Sequence, residues 1–229
     1  MRFHPVFFSA PMVRATLNGT RTQARIVVTY TGSARAAMFR SKPGKRLSES
    51  VNLYREPEKA LKLSPYAIGD QLWVKEGWGY APGGLTHSDP KIAYRADYPD
   101  EAPVTETLGQ GRRWETPSQM GRKISRLHLT ITGIRLERLM NISLEDMRAE
   151  GCLPPDMLGG NLKNLRTTYF KPFWTSLHAW TFGYAWDFNP WVWVLDFKIT
   201  KPEIPQRGFK TKMIKPFVPH ETLFNETQP

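Results

Sequence analysis

The chain has 229 residues, 40% of them hydrophobic, a single cysteine and a formal net charge of +11. That length and apolar content support one substantial core, read as one domain with insertions. No run has the apolar length of a membrane span, a lone cysteine excludes an intramolecular disulfide framework, and the first residues lack a secretory pattern, so a cytoplasmic setting is expected. The basic excess points to a polyanionic partner, most simply RNA or DNA, although composition alone leaves a merely basic protein open. Eight tryptophans add side chains able to stack on bases, even if most tryptophans in such a domain are core.

Pro11 to Asn18 is expected to be helical, with Pro11 at a first helical position, Ser9 near the cap and Met12, Ala15 and Leu17 on an apolar side. Gly19 reads as the C-cap. Arg21-Thr22-Gln23-Ala24-Arg25 then opens a strand into Ile26-Val27-Val28. Alternation puts Arg21, Gln23 and Arg25 on one face, with Thr22 and Ala24 on the other. Two guanidiniums and an amide on one edge suit anions and base edges. A solvated strand start is the plainer reading of the same residues.

Residues 31–64 lack periodicity and read as a long basic insertion or mobile loop. Tyr66–Asp70 is a turn into a strand over Gln71–Glu76. Lys75, Glu76 and Trp78 lie beside glycines that permit close backbone approach. They read as a pocket wall with Trp78 stacking a base, or else as an exposed ion pair beside a core tryptophan. Residues 81–90 are a loop, Ile92–Asp97 a short strand and 98–121 again a loop. Arg112-Arg113-Trp114 and the run Arg122–Arg126 read in isolation as solvated loop charges, and with the net charge of +11 as phosphate contacts.

Ile124–Leu139 carries the clearest strand signal, and its apolar phase slips after Gly133, which predicts a bulge. Ser143, with Asp146 three residues on, opens a helix that closes near Glu150-Gly151. Residues 152–165 read as an insertion, and Thr168–Trp180 as a helix with Pro172 in its first turn. Trp191, Trp193, Leu195, Phe197 and Ile199 share the core face of a long strand. Residues 201–229, with five prolines, read as an extended tail. The five histidines show no ligand spacing, so neither a metal nor a cofactor is expected, and Cys152 reads as a small buried hydrophobe. Short strands interrupted by two helices argue for an α+β fold built on a small mixed barrel.

In this order, several segments resemble ASCH domains of the PUA-like superfamily, especially those encoded by phages and prophages. They are Phe8-Ser9-Ala10-Pro11-Met12, Asn18–Arg25, Gly69-Asp70 with Leu72-Trp73-Val74-Lys75-Glu76 and Trp78, and Tyr94-Arg95-Ala96-Asp97. Ser125-Arg126 with the following strand, the helix from Ile142 to Gly151, and Asn189-Pro190-Trp191-Val192-Trp193-Val194 complete the set. The overlap runs over roughly residues 6–200, giving a domain at 1–200 with the 31–64 insertion, followed by the tail at 201–229. The resemblance implies a pseudo-barrel with a cleft against its flanking helices, where RNA or a nucleoside binds. Arg21, Thr22, Gln23, Arg25, Lys75, Glu76, Trp78, Arg126 and Glu150 would line it.

The small bacterial N(4)-acetylcytidine amidohydrolases look like a further match. Their active-site Lys, Thr and Glu fall on Arg21, Ala24 and Glu150, so only the glutamate is retained. An arginine is no general base and an alanine offers no nucleophilic hydroxyl. The expected function is therefore binding of nucleic acid or a nucleotide through a basic cleft. A hydrolase of a modified nucleoside or of RNA, using Glu150 as its acid/base, is the alternative. A protein partner met through the insertion or the tail is a third reading, with the host cytoplasm as the location of a phage-encoded chain.

Overall fold

The computed structural model describes residues 1–28, 61, 64–80, 92–100, 108, 113–154, 156–157, 159–178, 181 and 183–200. The expected 31–64 insertion, apart from Leu61 and Ser64, lies outside the described residues, as do Arg112 and the tail at 201–229. In chain order the elements are β1 (Phe3–Phe7), α1 (Ala10–Leu17), β2 (Gln23–Val27), β3 (Gln71–Lys75), β4 (Trp78–Tyr80), β5 (Ile92–Tyr94), β6 (His128–Arg138), α2 (Leu144–Ala149), α3 (Leu162–Leu165), α4 (Lys171–His178) and β7 (Trp191–Thr200). Five strands form a mixed sheet in the order β1-β3-β6-β7-β2, and β4 pairs with β5 in a separate ribbon. The main sheet's pairing is that of an open sheet, whose two edge strands are joined in sequence by α1. Among the described residues no helix is long and apolar enough to cross a membrane.

The apolar alternation of the strands builds two cores. Val6, Leu72, Val74, Leu129, Trp193 and Phe197 point to one, together with Met12 and Val13 of α1. Val27, Val192 and Val194 point to the other, where Met147, Phe170 and Trp174 pack over them. β7 is therefore buried on both faces between Val192 and Leu195. Ile199, expected in the core, is 45% exposed. The reason is topological: β2 pairs with β7 only as far as Asp196, so the end of β7 has a strand neighbour on one side alone.

Local signals decide where several elements begin and bend. Gly19, just past the C-cap Asn18 of α1, holds φ at +80°. β6 carries one extra residue between Ile131 and Gly133. That bulge reverses the phase of the strand, so Arg135 and Glu137 project to the face opposite Leu129 and Ile131. The segment from Leu162 to His178 is one continuous helical run, beginning six residues before the expected start. Pro172 sits inside it rather than in its first turn. A proline there leaves a carbonyl of the preceding turn without its donor, and a π turn at Arg166–Phe170 accommodates this.

β1 contains Pro5 and pairs in parallel with β3. The Arg2 carbonyl accepts from Gln71 and the Phe8 N–H donates to Lys75, so even-numbered residues of β1 face β3. The nitrogen of Pro5 consequently faces the open edge and costs the sheet no hydrogen bond.

Ser143 caps α2: its Oγ accepts from the Asp146 N–H at 3.0 Å, and the Asp146 carboxylate returns to the Ser143 N–H at 3.4 Å. Ser143→Ala should destabilise the protein by about 1 kcal/mol. Urea unfolding of the two proteins, compared at equal slope, checks this.

Candidate functional site

The registers of β2, β7 and β6 lay three rows across one face of the sheet. Gln23, Asp196 and Gly133 form one row, Arg25, Val194 and Arg135 the next, and Val27, Val192 and Glu137 the third. α2 supplies Asp146 to this face, and the residue after its last turn is Glu150. Gly151 follows with φ +68°, and a Cβ there would lie 3.3 Å from the Arg21 Cβ and 3.2 Å from that of Ala15. Only glycine combines that backbone with so close an approach, and the approach brings Glu150 against Arg21.

Glu150 is held between two guanidiniums. Its Oε2 lies 2.8 Å from Arg21 Nη2, and its Oε1 accepts from Arg25 Nη1 at 3.1 Å. Arg21 also donates to the Glu150 carbonyl. Arg25 reaches Asp146 at 2.9 Å and Glu137 at 3.5 Å, and donates to Gln23 Oε1 at 2.6 Å. The Gln23 amide bridges Asp146 and Asp196 at 3.0 and 2.8 Å. Arg135 closes the network on Glu137, Asp146 and Asp196. The Arg21 guanidinium lies over the rings of Phe8 and Phe173, and that of Arg25 over Phe170.

Burial grades across this cluster. The Arg21 and Glu150 side chains are each 2% exposed, whereas Arg135 and Asp196 at the rim are 36% and 40% exposed. Burial pulls the Arg21 guanidinium down from its ordinary value, with Glu150 opposing. Burial would push the Asp146 carboxyl up, but the Gln23 hydrogen bond and the charges of Arg25 and Arg135 hold it at about 2. Burial, then the charge of Glu150, pushes the Cys152 thiol up to about 12, and its Sγ donates to the Met147 carbonyl at 3.1 Å. Such a thiol packs as a small hydrophobe and is no nucleophile.

Alternation therefore groups Arg21, Gln23 and Arg25 as expected, and Glu150 joins them. The basic cleft expected from these arginines is corrected: both are buried and paired with carboxylates. Ala24, the position where the amidohydrolase pattern has its threonine, is 2% exposed in the core of the opposite face. Thr22 is exposed and enters only through its backbone, donating to Ala149 and accepting from Phe197.

The remaining expected residues lie elsewhere. Glu76 is buried in a two-pronged pair with Arg126, at 2.9 and 3.0 Å, and Arg126 also holds Asp97 at 2.7 Å. Burial pushes the Glu76 carboxyl up, with Arg126 opposing. The Arg126 guanidinium lies 4.1 Å over the Tyr94 ring. Trp78, expected to stack a base, is only 6% exposed, because β4 is paired with β5 and bridged to Glu115. Lys75 donates to the Ser118 carbonyl at 2.7 Å. Of the expected phosphate contacts, Arg113, Arg122 and Lys123 are exposed, while Arg126 is engaged as described.

The chain matches no family model, no curated protein and no solved structure.

Sequence pattern alone does not mark Arg135, Glu137, Asp146 and Asp196 as site residues. The phase slip at Gly133 was the available signal for the first two, and an aspartate inside Val192-Trp193-Val194-Leu195-Asp196-Phe197 was the signal for the last.

Two predictions test the network. Arg21→Met strands Glu150 beside Arg25 alone and should cost about 3–5 kcal/mol, part of it recovered in the double variant with Glu150→Gln. Urea unfolding of the three variants measures the coupling. The second concerns pH. The folded pKa of Asp146 lies below its unfolded value, so its contribution is present at neutral pH and lost as pH falls from about 4 to about 2. Its size is on the order of 2 kcal/mol. Thermal unfolding across that range should show a steep acid limb that flattens in Asp146→Asn.

Proposed function

We propose that this chain is an ASCH-like module that binds nucleic acid, with RNA as the first candidate. In this reading the half-exposed rim of the Arg21–Glu150 cluster, Arg135 and Asp196, takes a base or nucleoside by hydrogen bonding, while the buried Arg21–Glu150 pair holds that rim in place and cations outside the cluster take phosphates. The distribution of charge carries the proposal. The Arg21 cluster holds three arginines and four carboxylates, and Arg126 faces two carboxylates. Both internal groups are formally acid-rich by one, so the whole +11 excess lies outside them. Positive charge not consumed internally is what a polyanion meets first. At the rim, half-exposed Arg135 and Asp196 present a donor and an acceptor side by side, the combination that base edges require.

The hydrolytic alternative draws no comparable support. Ala24 faces away from Glu150, both Glu150 oxygens are taken up by guanidiniums, and the Cys152 thiol is far from reactive.

Anisotropy of labelled single-stranded RNA and DNA should show binding whose logarithmic affinity falls linearly with the logarithm of salt concentration. Binding indifferent to salt, or none at low salt, overturns the proposal. Incubation with N(4)-acetylcytidine, followed by chromatography, should leave the nucleoside intact with both the wild type and Glu150→Gln. Turnover present in the wild type and lost in that variant would establish the enzyme reading instead.

A further inference from the structure

Among the described residues, the two cores leave one part of the sheet without a helix over it. Helices pack over β2, β7 and the second half of β6. At the other end, the same face of β1 and β3 carries Phe3, Phe7 and Trp73. Their inward neighbours Val6, Leu72 and Val74 are buried. Phe3 is 41% and Phe7 56% exposed, and Trp73 lies opposite Pro5, between them. Phe3 to Phe7 spans about 13 Å along the strand.

Cations are interleaved with these rings. Lys75 Nζ lies 5.3 Å from the Phe7 ring centre and 5.2 Å from that of Trp73, and the Arg122 guanidinium lies 4.2 Å over Phe3. Lys123 is exposed next to Arg122, and Lys198 is exposed at the position facing Thr130 across β6 and β7. No outward position of β1, β3 or the adjoining stretches of β6 and β7 holds a carboxylate until Asp196 is reached. Asp70, at the start of β3, is buried and engaged by Arg2 and His4.

We infer that this face is a stacking platform for single-stranded nucleic acid, with Phe3, Trp73 and Phe7 receiving bases and Lys75 and Arg122 receiving phosphates. The inference rests on the nucleic-acid reading above but uses none of the Arg21-cluster residues. Exposed rings such as those of Phe3 and Phe7, with Trp73 half-buried between them, would otherwise be a liability on a free surface, and rings alternating with cations that no carboxylate pairs among the described residues match the two faces of a single strand, apolar base and anionic backbone. An apolar protein partner would leave those cations without a counterpart.

The test uses the full chain and a fluorescent oligouridylate about twelve nucleotides long, a length one such platform can hold. Phe7→Ala with Trp73→Ala should weaken binding about tenfold or more and leave the salt slope unchanged. Lys75→Gln with Arg122→Gln should lower the salt slope by about one to two. Phe7→Tyr keeps the ring and should bind as the wild type does, and circular dichroism confirms that each variant is folded. Undiminished affinity in the double alanine variant overturns the platform and leaves the wider reading standing. Failure of the wild type to bind RNA or DNA overturns both. Sedimentation that shows a dimer converted to a monomer by Phe7→Ala, with oligouridylate binding unchanged, makes the face a contact between copies and also overturns the platform.

Discussion

A buried carboxylate clasped by two buried guanidiniums is the contact on which this architecture turns. Taking three charges out of water is costly, and the cost is met only where every partner is in place. Glu150 therefore ties three things together: the loop after α2, the segment leading into β2 through Arg21, and the sheet face through Arg25. The cap at Ser143 and the close approach at Gly151 exist on either side of this contact and aim α2 at it. The bulge in β6 does the same from below by turning Arg135 and Glu137 toward Asp146. Helix, loop and sheet register are thus locked by one polar network flanked by Phe170 and Phe173.

Much of this was legible in the residues. The Pro11 start and Gly19 stop of the first helix, the Gly133 phase slip and the Ser143 cap are local signals, and each is expressed locally. The co-facial set Arg21, Gln23 and Arg25 follows from the two-residue period of a strand. What could not be read was whether those arginines met water or carboxylates, because their partners come from β6, α2 and β7, set by registers no local pattern specifies. Trp78 shows the same limit: a tryptophan between glycines reads equally as a pocket wall and as core, and only the pairing of β4 with β5 decides for core. Phe3 and Phe7 show the converse, since a phenylalanine in a short strand is ordinarily core and both stand exposed.

The result is a division of labour among arginines. Those in or beside the apolar cores serve as internal struts, flat cations laid against aromatic rings and clamped by acids. Those on the open faces keep their charge available. Counting basic residues along the chain mixes the two populations, and only burial separates them. The strongest-looking anion-binding motif, Arg21 to Arg25, belongs to the first population, while Arg122, from the expected phosphate-contact run, belongs to the second.

Pro5 has an effect reaching beyond its own strand. An outermost strand ordinarily offers a ladder of amide hydrogens onto which another chain can zip, yet here one rung is missing at the midpoint. An intruding backbone would have to skip that rung or bow away, so growth of the sheet from molecule to molecule is discouraged at the flank where the aromatic rings stand in the open. A ring-bearing surface can then stay uncovered without becoming a seed for aggregation.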